Sequence, residues 1–214
     1  MSRALGVLLA LLLLLVSACG GDDGSGGAGG PAAGSAAGEP GKAGGSDVLT
    51  WGDGDYGVVL AHGAAFDAAS WEVQATAIAE QGATVVAVED IGTEAIEAAV
   101  QSLRDDGIER VALVGGSAGA DAILRLASEQ PYLADQLVLL SPNTVVDGLG
   151  EEPKLFIASE DEPGTDVPQE LVDASEGDDN QTLIVRGSAH AQNVFDTEQG
   201  AEVMAALLER LDVA

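Results

Sequence analysis

The feature that most constrains this chain is a short apolar strand followed at once by a glycine-rich turn and a helix. Residues 111–114 are apolar and rich in β-branched side chains, which predicts a buried strand. Residues 115–119 then have the pattern G-x-S-x-G, and residues 120–127 carry apolar side chains at helical spacing. A serine in this context lies on a sharp, strained turn with its hydroxyl projecting from a sheet edge, so Ser117 is a candidate nucleophile. A glycine-rich turn with an unreactive serine is the alternative that the motif alone leaves open.

The first residues of the chain have the layout of a secretory signal. Arg3 precedes an apolar run at residues 5–16, and small residues lead up to Cys19. The run of about a dozen residues is short for a membrane span. Residues 16–19, Val-Ser-Ala-Cys, resemble the lipobox of bacterial lipoproteins. The resemblance implies that Cys19 is lipidated and becomes the first residue of the mature chain, whereas an ordinary signal peptide with an incidental cysteine is the alternative.

The composition divides the chain into three parts. Residues 19–47 are dominated by Gly, Ala, Ser and Pro and show no apolar periodicity, which predicts a flexible linker. We therefore expect a lipoprotein signal peptide at 1–18, a linker at 19–47 and one folded domain at 48–214. Because Cys19 is the only cysteine, no intramolecular disulfide can form. The expected location is the extracytoplasmic side of the cell membrane, with the lipid as the only anchor.

The net charge limits the partners that the folded domain can bind. A formal charge of -28, from 36 acidic and 8 basic residues, argues against binding to nucleic acid and against direct docking on anionic lipid. The sequence shows no metal-ligand spacing, phosphate-binding loop or dinucleotide motif, so no cofactor and no metal are expected. We expect a monomer whose partner is a small-molecule acyl substrate.

Apolar runs alternate with helical patterns through the rest of the chain. Strands are predicted at 57–62, Ala83–Val88, 111–114, Gln136–Leu140, 154–158 and 182–185. These runs are too uniformly apolar for half-exposed strands, which favours a parallel sheet covered by helices on both faces. The expected fold is therefore an α/β three-layer sandwich with a mostly parallel central sheet of about six strands.

Three polar residues follow separate predicted strands and are placed to act together. A nucleophilic serine needs a base that is active near neutral pH, and His190, just beyond the last strand, suits Ser117. A carboxylate is then needed to orient the histidine, and Asp161 follows the strand at 154–158. The carboxyl ends of parallel strands share one edge of a sheet, so these side chains are expected to meet. Three other acids remain open for the third position: Asp147, Glu160 and Glu162.

Four motifs in this order, each at a strand end, resemble a compact α/β hydrolase. They are His-Gly-Ala at 62–64, the turn at 115–119, Ser-Glu-Asp-Glu at 159–162 and Ser-Ala-His at 188–190. The resemblance implies a serine hydrolase that cleaves a carboxylic ester or a related acyl bond through an acyl-enzyme. It also implies an oxyanion hole formed by the N–H of Ala118 and the N–H of Ala64 or Ala65. His62 is then expected to be structural, because this loop acts through its backbone.

The sequence departs from the usual pattern of that superfamily in two places. The two N-terminal antiparallel strands of the full fold are expected to be absent or reduced to residues 47–55. No cap domain is expected after Gln136–Leu140, because only residues 142–153 separate it from the next strand. The expected protein is a minimal, lidless version of the fold. A non-catalytic binding lipoprotein on the same scaffold is the alternative function.

The lipobox resemblance generates a first testable prediction. Replacing Cys19 by Ala is expected to abolish lipidation, so the variant should be misprocessed or released from the membrane fraction. The measurement is mass spectrometry of the mature N-terminus together with fractionation of cells. A wild-type protein whose mature N-terminus carries no lipid would contradict the prediction.

Overall fold

The computed structural model describes residues 37–211, and Cys19 and the signal peptide predicted at 1–18 lie outside this range. Eight strands are formed within it: β1 (Glu39–Ala43), β2 (Ser46–Trp51), β3 (Tyr56–Ala61), β4 (Ala83–Val88), β5 (Arg110–Gly116), β6 (Gln136–Leu140), β7 (Lys154–Ser159) and β8 (Asn180–Val185). The helices are α1 (Glu72–Ala79), α2 (Thr93–Asp105), α3 (Ala118–Glu129), α4 (Val167–Ala174) and α5 (Gly200–Leu211). Two 3-10 helices, Ala68–Trp71 and Ala191–Asp196, precede α1 and follow β8.

The strands form one sheet with the order β1-β2-β4-β3-β5-β6-β7-β8. The six strands from β4 to β8 in this order are parallel, whereas β2 pairs antiparallel with both β1 and β4. The predicted α/β sandwich with a mostly parallel sheet is confirmed. The expected number of about six strands fits the parallel part only, because two further strands extend one edge.

The N-terminal hairpin corrects the predicted domain boundary. Strand β1 lies inside the predicted linker at 19–47, so the folded domain includes residues that precede the predicted boundary at 48. Gly44 and Gly45, both with positive φ, form the two-residue turn that joins β1 to β2. Of the five β1 residues only Ala43 is buried, so the strand is held by backbone pairing and not by an apolar pattern. No apolar periodicity therefore marks β1 in the sequence.

Alternate side chains of each central strand enter two separate cores. On β3, Val59 and Ala61 pack on the same face as α2, α3 and α4, while Val58 and Leu60 pack on the face of α1 and α5. This period-two alternation is what a strand buried on both faces requires. The central strands are thereby fixed from both sides, and so are the loops that leave their carboxyl ends.

The last strand differs from expectation. Strand β8 lies at the edge of the sheet and most of its side chains are exposed or half-buried, so the expectation of uniformly buried strands is wrong here. The final helix, α5, begins at Gly200. The Thr197 hydroxyl donates to Val194 O (2.7 Å) and closes the 3-10 helix that precedes α5.

The segment after β6 is short and irregular. Residues 141–153 contain no helix or strand. Within residues 37–211, no helix combines the length and the apolar character that crossing a bilayer requires.

Helix α3 packs directly on the end of β3, and a glycine makes this approach possible. A Cβ on Gly119 would clash with the carbonyl oxygen of Ala61 and lie 2.6 Å from that of His62. Because both neighbours are backbone atoms in a buried strand end, neither can move aside cheaply. Gly119 therefore sets the distance between the helix that begins beside Ser117 and the loop that follows β3.

Replacing Gly119 by Ala is expected to destabilise the fold by about 1–3 kcal/mol, since the added methyl overpacks a rigid contact. Gly41→Ala is the matched control: its Cβ would lie 3.6 Å from Val48 Cγ2, an ordinary contact, and it removes the same backbone freedom from the unfolded chain. The measurement is the free energy of unfolding from urea titrations. Equal stability of the two variants would contradict this account of Gly119.

Candidate active site

Five loops meet at the carboxyl edge of the sheet, where ligands of parallel α/β sheets bind. They follow β3, β5, β6, β7 and β8 and carry the side chains described below. Because β3, β5, β6 and β7 are consecutive neighbours in the sheet, and β8 lies next to β7, residues far apart in sequence are placed side by side.

Ser117 lies on the sharp turn between β5 and α3. Its backbone has φ 49° and ψ -113°, a region that non-glycine residues rarely adopt. The turn is held by its own N–H, which donates to Leu140 O (2.9 Å), and by its carbonyl, which accepts from Asp121 N–H (2.9 Å). A Cβ on Gly115 would lie 2.7 Å from Ile123 Cδ1, and one on Gly116 would lie 3.3 Å from Ala191 Cβ. Packing therefore requires a glycine at position 115, whereas a side chain at position 116 would make a tight contact.

His190 connects the serine to a buried carboxylate. Its Nε2 lies 2.8 Å from Ser117 Oγ, and its Nδ1 lies 2.6 Å from Glu162 Oε2. An ionised carboxylate only accepts hydrogen bonds, so Nδ1 carries the proton and Nε2 is free to accept the serine hydroxyl. The side chain of His190 is 37% exposed and that of Glu162 only 1%, so the pair reaches solvent only through the imidazole.

The carboxylate at this position is Glu162, and the prediction of Asp161 is wrong. Residues 160 and 161 still follow the pairing of β7 with β8, because Glu160 N–H donates to Val185 O and Asp161 N–H to Gly187 O. This places the Asp161 side chain in solvent. The chain then reverses in a turn closed by Glu162 N–H and Ser159 O (3.3 Å), which brings the next acid back toward the sheet. Glu162 was among the alternatives that the sequence left open.

Two serines hold the second oxygen of this carboxylate. Glu162 Oε1 accepts the hydroxyl of Ser141 (2.8 Å) and the backbone N–H of Ser159 (2.7 Å). The Ser141 hydroxyl oxygen in turn accepts the N–H of Ala191 (2.8 Å), next to the histidine. The loops after β6, β7 and β8 are thus joined through one side chain. Sequence reasoning missed both serines, although each directly ends or follows a predicted strand.

Backbone strain is concentrated in this network. Among the described residues, the only non-glycine positions with positive φ are Ser117 (49°), Ser141 (48°) and Ala191 (51°). Each of these backbone conformations costs of order 1–3 kcal/mol and persists only where the surrounding structure holds it. All three lie on the loops that bring serine, histidine and carboxylate together, so the strain marks this edge of the sheet as a site.

The predicted oxyanion residues lie on two segments, the start of α3 and the turn that follows β3. Ala118 is the first residue of α3, so its N–H has no acceptor within the helix and lies at the positive end of the helix dipole. Ala64 and Ala65 are the exposed central residues of a turn closed by Phe66 N–H and Gly63 O (2.9 Å). Within the described residues, neither alanine N–H of this turn donates a hydrogen bond, so both remain available to a ligand.

The second histidine supports this turn and does not contact Ser117. The ring of His62 is buried, with Nδ1 2.8 Å from Gly63 O and Nε2 3.1 Å from Glu89 O. Both neighbours are backbone carbonyls, which agrees with the structural role expected for His62.

Asn143 is a further polar neighbour of the serine that the sequence did not indicate. Its Nδ2 lies 3.5 Å from Ser117 Oγ and donates to Asp121 Oδ2 (2.9 Å). Asp121 Oδ1 also accepts the backbone N–H groups of Asn143 (2.8 Å) and Thr144 (3.2 Å). The first turn of α3 thereby fixes the start of the loop after β6.

Solved structures with this architecture include several hydrolases. A monoacylglycerol lipase from Paleococcus ferrophilus has a TM-score of 0.62 at 15% identity, covering 77% of this chain and 97% of its own. An esterase/lipase from an uncultured bacterium has a TM-score of 0.69 at 15% identity, covering 81% and 83%. A predicted CIB-like hydrolase from Thermoplasma acidophilum has 0.62 at 18% identity, covering 80% and 95%. The fold is that of the α/β hydrolases. No protein-family model and no curated protein sequence matches the chain.

The correction from Asp161 to Glu162 can be tested by the reactivity of Ser117. Glu162→Gln is expected to slow labelling of the serine by a fluorophosphonate on the order of a thousand-fold, because the amide no longer fixes the required tautomer of His190. Asp161→Asn removes the neighbouring charge without touching the histidine and should label at the wild-type rate. The measurement is the second-order labelling rate by intact-protein mass spectrometry. If Asp161→Asn slowed labelling and Glu162→Gln did not, Asp161 would be the carboxylate that orients His190.

Proposed function

We propose that this protein is a serine hydrolase that cleaves a carboxylic ester or a related acyl bond. The observation that carries the proposal is the continuous hydrogen-bonded chain from Ser117 Oγ through His190 to the buried Glu162 carboxylate. A serine on a strained turn, a histidine in the accepting tautomer and a carboxylate behind it are the parts that nucleophilic acyl transfer requires.

The proposed reaction uses each part in turn. Ser117 Oγ attacks the carbonyl carbon while His190 Nε2 takes its proton, and Glu162 stabilises the imidazolium that forms. The oxyanion of the tetrahedral intermediate accepts from the N–H of Ala118 and from that of Ala64 or Ala65. The imidazolium then protonates the leaving alcohol, and an acyl-enzyme remains on Ser117. A water molecule, deprotonated by His190, attacks the ester carbonyl. The bond between the acyl carbon and Ser117 Oγ then breaks, His190 returns the proton to Oγ, and the acid is released.

The similar structures support an ester as the substrate. Two of them are named as a monoacylglycerol lipase and as an esterase/lipase, so the same fold holds ester hydrolysis in those proteins. For this chain, the chemistry rests on the Ser117–His190–Glu162 geometry. The similarity to solved structures adds that these three residues lie on a fold that other proteins use for ester hydrolysis.

The surroundings of the serine favour short, uncharged acyl groups. Asn143, which lies beside Ser117, and Ala64 and Ala65, on the proposed oxyanion turn, are all exposed, and residues 141–153 form no helix or strand. An open site buries little of a long acyl chain, and each methylene left in water forgoes about 0.8 kcal/mol. Lys154, the only basic residue in the acidic stretch 147–179, is itself fully buried, so this stretch presents no exposed positive charge to an anionic substrate.

The proposed place of action is the outer side of the cell membrane. It rests on the lipobox resemblance around Cys19 and on the secretory layout of residues 1–18. A lipidated Cys19 joined to the domain by a Gly/Ala/Ser/Pro-rich segment would keep the enzyme near the membrane surface while leaving the site free.

The substrate proposal predicts how activity depends on acyl length. For p-nitrophenyl esters, kcat/KM is expected to rise over the first few carbons and then level off, because further methylenes remain in water. Added salt should reduce the penalty on an anionic acyl group, since it screens the acidic surface. Ser117→Ala, assayed in parallel, should lose nearly all turnover. A value of kcat/KM that rises steadily up to sixteen carbons would contradict the proposal that the site is open. Equal activity in wild type and Ser117→Ala would contradict the proposal that Ser117 is the nucleophile.

A further inference from the structure

One buried side chain near the site takes no part in the proposed proton transfers. Gln192 lies two residues beyond His190, on the 3-10 helix Ala191–Asp196, and is 6% exposed. Its amide reaches away from the histidine toward the loop that follows β3. Burying a primary amide is unfavourable unless its groups are hydrogen-bonded, so its partners show what it holds in place.

The first partner is the backbone of the proposed oxyanion turn. Gln192 Oε1 accepts the N–H of Gly63 at 2.8 Å. A backbone N–H only donates, so the amide oxygen has to face Gly63 and the orientation of the amide is determined. Gly63 directly precedes Ala64 and Ala65, whose N–H groups are the proposed oxyanion donors on this side of the serine.

The second partner is at the far end of the same loop. Gln192 Nε2 donates to Ser70 Oγ at 2.6 Å. Ser70 is in turn part of a tight turn, because its hydroxyl donates to Asp67 O (2.5 Å) and its N–H to Asp67 Oδ1 (3.0 Å). One amide thus bridges the first and the last residues of the segment 63–70, and the oxyanion turn lies between its two attachments.

The same side chain also lines the backbone that leads into the nucleophile. A Cβ on Gly116 would lie 3.3 Å from Gln192 Oε1, and one on Gly63 would lie 3.6 Å from it. The amide oxygen therefore occupies the space between the residue before Ser117 and the residue before Ala64. Both sides of the proposed oxyanion hole are packed against this one group.

We infer that Gln192 is a positioning residue that holds the loop 63–70 so that the N–H groups of Ala64 and Ala65 meet the oxyanion. The inference rests on the proposed function, and it adds a link between the histidine loop and the oxyanion loop. Because the group acts through backbone donors, its removal weakens stabilisation of the transition state more than binding of the uncharged ester.

The test compares Gln192→Met with a matched control, Gln136→Met. Gln136 is also a buried glutamine with two hydrogen bonds, to Tyr56 Oη–H (3.0 Å) and to the carbonyl of Arg210, but it lies at the opposite edge of the sheet. Methionine keeps the length of either side chain and removes both bonds. Ser70→Ala removes only the far attachment of Gln192.

Two readouts separate positioning from general destabilisation. The first is kcat and KM for p-nitrophenyl butyrate, and the second is the inhibition constant of butylboronic acid, whose tetrahedral adduct on Ser117 places a charged boronate at the oxyanion position. Gln192→Met is expected to lower kcat by about ten- to a hundred-fold with a smaller change in KM, and to weaken boronate inhibition by a similar factor. Ser70→Ala should lose less kcat and less affinity for the boronic acid than Gln192→Met. The pH profile should keep its midpoint, since Glu162 and His190 are untouched.

The outcomes are distinct. Loss of kcat and boronate affinity in Gln192→Met, with Gln136→Met at wild-type values, supports the inference. An active wild type in which Gln192→Met and Gln136→Met share the same kinetics overturns it and leaves the proposed function standing. A wild type that neither cleaves the ester nor binds the boronic acid overturns the proposed function, and the inference with it.

Discussion

A single buried carboxylate holds the candidate site together. Glu162 is removed from water, and an ionised group in that position is tolerated only when hydrogen bonds replace its hydration. Its partners come from three different loops, through Ser141, Ser159 and His190. Because the charge cannot be left uncompensated, the loops after β6, β7 and β8 have to keep one relative arrangement. The position of His190 against Ser117 follows from that arrangement.

The same network holds three residues in strained backbone conformations. Ser117, Ser141 and Ala191 each occupy a conformation that the chain would avoid in isolation. Two of them are bonded to each other, since the Ser141 hydroxyl accepts the Ala191 N–H, and Ser117 is tied to the end of β6 through Leu140 O. The free energy gained by packing the two cores thus offsets the cost of these three backbone conformations, which direct side chains from separate loops to one site.

The sequence was informative wherever burial leaves a local pattern. Strands β4 and β6 have the predicted bounds, because both are apolar runs buried on both faces. Strand β1 could not be predicted, since Glu-Pro-Gly-Lys-Ala carries no such pattern and gains its stability from pairing with β2. The order of strand ends was enough to bring Ser117 and His190 together.

The sequence alone could not identify the carboxylate that contacts His190. Asp161 and Glu162 are adjacent acids, and only the turn that closes on Ser159 decides which of them faces the histidine. The contacts of Ser141 and Gln192 span 21 to 129 positions of the chain, so no local spacing could indicate them. The roles of Ser117, His190 and the oxyanion donors stay predictions, which the observed geometry supports.

The loop after β6 has a consequence for how such a protein can change over evolution. Its first residues are fixed, because Ser141 bonds Glu162 and Asp121 holds Asn143 and Thr144. Beyond them, residues 145–148 are exposed or half-buried and contribute no side chain to the network. New sequence inserted there would lengthen a surface loop whose closure entropy grows only slowly with length, and the fixed residues would keep the site intact. Residues 145–148 are therefore a point where the chain can be lengthened, even by a whole domain, without disturbing the hydrogen bonds that surround Ser117.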